Sequence, residues 1–139
     1  MSRHDKFHDL VVNALKREGW VITNDPYLLT FGAQELKMDL GAEMPIGAER
    51  EGVKIAVEIK SFLSASALTD FYHALGQFTV YRTLIEQTDA TRTAYLAMPR
   101  DAYRAIFDVR EAEIIRVQSE LRLIIYNPSK EEEPLQWIL

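Results

Sequence analysis

The chain of 139 residues has no cysteine, which excludes a disulfide framework and any thiolate metal site. It has no apolar run approaching the ~20 residues of a membrane-spanning helix. Its first residues, MSRHDKFHDL, lack the apolar segment of a secretory signal. These absences predict a soluble, cytoplasmic protein. Positive charge is scarce as well, with 16 Lys and Arg against 21 Asp and Glu, a net charge of −5. A module that gripped nucleic acid by its own surface would be basic, because phosphate neutralisation supplies most of such affinity. The balance argues against a stand-alone clamp. It leaves open an enzyme whose carboxylates hold a divalent cation, or a subunit whose partner brings the positive charge. There is no internal repeat and no low-complexity linker, and 47% apolar content suffices for one core at this length. One domain over residues 1–139 is expected.

The apolar pattern orders the elements. Phe7, Leu10, Val11, Ala14 and Leu15 fall at i, i+3, i+4, i+7 and i+8, which predicts an amphipathic helix with Gly19 just past its end. Strands are expected at 20–23, 27–31, 35–40, 46–50 and 53–60, with Glu51-Gly52 as a hairpin turn between the last two. Ser66 is placed to cap a long helix over 67–86, whose apolar face reads as Leu68, Phe71, Tyr72, Leu75 and Thr79. A buried strand at 93–98 follows, then a helix opened by Pro99 as a first-turn proline, and a second helix over 110–118. A strand at 121–126, a charged loop at 127–134 and a terminal strand at 135–139 complete the chain. The order predicts an α/β fold, one mixed sheet with helices on its faces.

Residues 54–62, KIAVEIKSF, carry the chemistry. Alternation with period two places Ile55, Val57 and Ile59 on one face and Ala56, Glu58 and Lys60 on the other. Glu58 and Lys60 are therefore either a solvated edge or half of an active site. With Asp39 they have the spacing style of a magnesium-dependent nuclease. Magnesium takes one or two carboxylates plus waters, which Asp39 and Glu58 would supply, with the Ile59 backbone carbonyl as a further ligand for Mg2+ or Mn2+. Lys60 would orient or help deprotonate the attacking water and offset charge on the phosphate. Gln77 and Tyr81 are i, i+4 neighbours on one stripe of the long helix, with Asp70 and Ala74, and would need partners if buried. The hairpin register sets Arg50 against Val53, Glu49 against Lys54, Pro45 against Glu58 and Glu43 against Lys60. Asp39 then reaches Glu58 only if residues 41–45 bend back, as Gly and Pro permit; Glu43 is the substitute carboxylate. His8 flanks the stripe of the first helix, within reach of the site or simply at the boundary of the core.

The first helix, Asp39, Glu58-Ile59-Lys60 and the helical Gln77 and Tyr81 together resemble the PD-(D/E)xK nuclease superfamily, the last pair being similar to the Gln-x-x-x-Tyr of its RecB-type branch. Met38 stands where proline often precedes the aspartate. More narrowly, FHDLVVNALKREGW, MDLGAE, KIAVEIKSFLS, DFYHALGQFTVYR and YNP with QWI resemble, nearly end to end, the XisH family of cyanobacterial fdxN element excision controlling factors. The resemblance implies a restriction endonuclease-like core, DNA as substrate and a role in programmed excision of a DNA element. It also implies an XisI-like protein and a site-specific recombinase as partners, and is compatible with a homo-oligomer. The rival expectation is a non-catalytic interaction subunit that keeps the nuclease fold.

Overall fold

A computed structural model describes residues 5–35 and 46–139, the side chains of residues 5, 6 and 35 excepted. Asp39, Glu43 and Pro45 lie outside the described residues, as does most of the strand expected at 35–40.

Helix α1 (Asp5–Arg17) buries the stripe read from its sequence, with Val11 and Leu15 fully enclosed. Gly19, at φ +93°, turns the chain out of it; a β-carbon resists that left-handed conformation. Strand β1 (Val21–Asn24) follows, then a small separate hairpin of β2 (Thr30–Phe31) and β3 (Gln34–Glu35). The expected strand at 27–31 thus shrinks to its last two residues.

Strands β4 (Ile46–Arg50) and β5 (Val53–Ile59) form the predicted antiparallel hairpin, with Arg50 opposite Val53 and Glu49 opposite Lys54. Both turn residues have positive φ, Glu51 at 51° and Gly52 at 81°, the twist that joins two antiparallel strands through two residues. Helix α2 (Ala67–Thr88) crosses over to β6 (Arg92–Pro99), which runs parallel to β5. Helices α3 (Arg100–Ile106) and α4 (Arg110–Gln118) make the second crossover, to β7 (Leu123–Tyr126), parallel to β6. Strand β8 (Gln136–Ile138) closes the sheet antiparallel to β7. Among the described residues, the order β1-β4-β5-β6-β7-β8 makes one mixed six-stranded sheet flanked by four helices. Pro99 ends β6 and occupies the cap position of α3, one residue earlier than the first-turn place expected of it.

Each face of the sheet has its own core. Ile55, Val57 and Ile59 meet α1 on one face; Ala56 meets α2 and Phe71, Ala74, Phe78, Tyr81 and Ile85 on the other. The sequence reads α2 as buried on more than one side, and the second set shows the stripe of Ala74 and Tyr81 to be the enclosed one. Of the stripe expected to be buried, Phe71 is enclosed, but Leu68 and Tyr72 are 52% and 61% exposed. The helix is rolled so that the Ala74 and Tyr81 stripe, with Phe78 and Ile85, faces Ala56 and Leu96 of the sheet.

Ser66 caps α2, its hydroxyl accepting from the Thr69 amide at 3.1 Å. Ser66→Ala should therefore lower the unfolding free energy by about 1 kcal/mol, read from urea denaturation with an unchanged m-value.

Candidate active site at the end of strand β5

Glu58 and Lys60 leave β5 on the α2 face, as period-two alternation requires. Glu58 is 2% exposed, so the pair is no solvated edge. The Lys60 side chain is also mostly enclosed, with Nζ at 3.5 Å from Glu58 Oε2. A buried carboxylate is costly unless its charge is compensated. Lys60 supplies one compensating charge.

Tyr81 and Gln77 complete the cluster from α2. Tyr81 is 3% exposed. Burial, and then the negative charge of Glu58, push its phenol well above the usual range, so it remains a hydroxyl donor at any working pH. Gln77 is half-buried and lines a cavity of about 300 Å³ with Lys60, Asp70, His73 and Ala74. Helical spacing thus brings Asp70, Ala74, Gln77 and Tyr81 to the strand end that carries Glu58 and Lys60.

Two further devices fix that strand end. The Tyr126 hydroxyl donates to the Lys60 carbonyl at 2.7 Å, and its ring packs on Phe7 of α1 at 5.6 Å. Phe62 then turns the chain away at φ +53°, a conformation that disfavours residues with a β-carbon; strain of this kind gathers at functional sites. The Asp70 carboxylate accepts the Ser64 amide at 3.2 Å, closing the loop over the cavity. Sequence reasoning missed Tyr126 and His73. Tyr126 reads as an ordinary strand end, since the crossover that sets β7 two strands from β5 has no local signal.

Among the described residues no three His, Asp or Glu side chains converge as a metal cluster. Glu58 is the member of the expected carboxylate set that falls among them. Its chemistry fits a hard divalent cation: an anionic oxygen donor shielded from water, a backbone carbonyl next in the chain at Ile59, and a cation at Lys60 to balance added phosphate charge.

Fold and site define an α/β protein with a charged pair held at the carboxyl end of a central strand. A family model described as XisH protein matches residues 1–133, and the chain belongs to that family. It is similar to the crystal structure of an XisH family protein from Nostoc punctiforme PCC 73102, with 39% identity over 96% of this chain and 99% of that one, at a TM-score of 0.84. It is equally similar to that of an fdxN element excision controlling factor protein from Anabaena variabilis, at 39% identity over 97% and 99% and a TM-score of 0.85. No curated protein matches. No helix among the described residues is long and apolar enough to cross a membrane.

His8 resolves as a boundary residue of α1. Its ring bonds Asp25 Oδ1 at 2.9 Å and Asp9 Oδ1 at 3.2 Å. Burial, the largest single influence, acts to lower its pKa, but the hydrogen bonds and charges of Asp25 and Asp9 together outweigh it and raise the pKa. A histidine whose folded pKa is raised stabilises fully below its unfolded value, about 6.5, and loses that contribution as pH rises through the folded value. The melting-temperature advantage of wild type over His8→Gln should therefore be largest near pH 5.5 and shrink steadily above neutrality.

Proposed function

We propose that the cluster of Glu58, Lys60, Gln77 and Tyr81 is a magnesium- or manganese-dependent phosphodiesterase site of PD-(D/E)xK type acting on DNA. In this reading the protein serves programmed excision of a DNA element, as the Anabaena variabilis relative's description as an excision controlling factor suggests. The observation that carries the reading is the enclosure of Glu58 beside Lys60 at a strand end. A buried ion pair is weak evidence of stabilisation, and charges held in a cleft mark functional sites more often than surface charges do.

When bound, the cation would polarise the scissile phosphate and lower the pKa of a water. Glu58, with Asp39 and the Ile59 carbonyl, would hold it. Lys60 orients the attacking water and offsets the charge that develops on the phosphate. The Gln77 amide and the Tyr81 hydroxyl position a phosphate oxygen or the water from the α2 side.

The net charge of −5 favours action with partners. An acidic surface repels a DNA backbone at long range, so a basic partner, an XisI-like protein or a site-specific recombinase, would deliver the substrate in the cytoplasm. The same charge supports a second reading, an interaction subunit that keeps the fold and cuts nothing.

With manganese and a basic partner, the protein should nick DNA, and Glu58→Gln and Lys60→Met should each reduce the rate by about a hundredfold or more. Calorimetry should show manganese binding by wild type that Glu58→Gln abolishes. Manganese titrations that are identical for wild type and Glu58→Gln would overturn the site. Metal binding without cleavage of any single-stranded, duplex or branched DNA would favour the subunit.

A further inference from the structure

At the other end of the same strands lies a second charged cavity, of about 170 Å³, lined by Arg82, Glu86, Arg92, Thr93 and Arg122 among others. Three separate segments bring the arginines together. Arg82 comes from the last third of α2 and Arg92 opens β6. Arg122 directly precedes β7, held in register with β6 by its carbonyl, which accepts the Leu96 amide at 2.9 Å.

The donors in this cavity outnumber the acceptors. Arg92 is fixed and enclosed: Nη1 donates to the Ile55 carbonyl at 2.8 Å, Nε to Asp89 at 3.2 Å, and the guanidinium lies 4.7 Å over the Tyr27 ring. It forms a rigid cationic wall. Arg82 is held loosely, with Nη1 3.4 Å from Glu86 and 3.8 Å from Glu120. Its Nε is buried and, among the described residues, has no acceptor. Arg122 is half-buried and makes no side-chain hydrogen bond or ion pair with a described residue. A buried guanidinium N–H without an acceptor is a cost that native structures seldom leave standing. Planar guanidinium groups are the side chains best shaped for oxyanion recognition.

We propose that Arg82, Arg92 and Arg122 form a binding site for a phosphate-class oxyanion. The cavity is small, so it takes a single tetrahedral group rather than a length of polymer. Arg92 stands level with Lys54, and Glu58 with Leu96, which sets the Arg92 backbone roughly 13 Å from that of Glu58 along the sheet at ~3.3 Å per residue, while Arg122 stands two strands across from Glu58. The oxyanion site therefore stands whether or not the Glu58 cluster is a nuclease. Because the chain as a whole is acidic, the anion is held by direct contact rather than drawn in by the long-range field.

The test follows the arginine Nε–H resonances of 15N-labelled protein while inorganic phosphate is added at constant ionic strength. The Arg82 resonance should shift and saturate. Arg122→Gln should weaken the apparent affinity about tenfold, the loss of one charge-assisted hydrogen bond, and Arg82→Lys should remove the reporting resonance and weaken affinity too. A parallel titration with a short oligonucleotide lacking terminal phosphates separates the sources. The same saturable, Arg122-dependent shift would assign the site to a nucleic-acid phosphate, and its absence to a free or terminal phosphate. No saturable shift with phosphate, or shifts unchanged in Arg122→Gln, would overturn the proposal.

Discussion

Glu58 is the constraint around which the site end of the molecule is arranged. A carboxylate that is 2% exposed on a central strand loses most of its hydration, and its own side chain is not served by the backbone ladder that pairs β5 with β6. The compensation comes from outside the strand's own ladder. Lys60 sits two residues on, on the same face; Tyr81 lies close enough for its phenol to feel the charge. Tyr126 holds the Lys60 carbonyl from β7, and Phe7 backs Tyr126 from the opposite face of the sheet. Four segments, β5, α2, β7 and α1, thus meet around one buried charge. An apolar residue at position 58 would pack more cheaply, which is why the arrangement points to chemistry rather than to stability.

Much of this was legible in the sequence because it rests on short-range periodicity. The alternation of residues 54–60 placed Glu58 and Lys60 on one face, and the Glu51-Gly52 turn placed Glu49 against Lys54. The i, i+4 spacing placed Gln77 with Tyr81. What was not legible depends on how elements are rolled and stacked. The apolar character of α2 left two stripes of similar hydrophobicity, so the helix read as buried on more than one side; the Gln77 and Tyr81 side is enclosed, whereas Leu68 and Tyr72 are exposed. The choice is settled by Ala56 and Leu96 across the sheet, partners that no local window contains. Tyr126 was invisible as a site residue for the same reason. Its role depends on strand order, which is set by two crossovers. The position of Asp39 relative to Glu58 turns on the bend at residues 41–45, outside the described residues.

The two ends of β5 and β6 carry opposite electrostatic problems. At the carboxyl ends a buried acid, Glu58, is met by the cation of Lys60, beside the cavity lined by Gln77. At the amino ends three guanidinium groups gather in a chain short of positive charge. There Asp89, its carboxyl held down at a pKa of about 2 chiefly by its bonds to Lys54, then Thr91 and Arg92, remains an anion and satisfies only part of the demand. Helix α2 joins the two regions, with Gln77 and Tyr81 facing one and Arg82 and Glu86 the other. The same helix orders both.

The most direct measurement of whether Glu58 and Lys60 form a cation site is paramagnetic broadening of backbone amide resonances by substoichiometric manganese. A cation held at Glu58 should broaden residues 58–60 first, together with those around Ala74, Gln77 and Tyr81. Broadening centred instead on the exposed Glu131 and Glu132, with residues 58–60 left sharp, would contradict it.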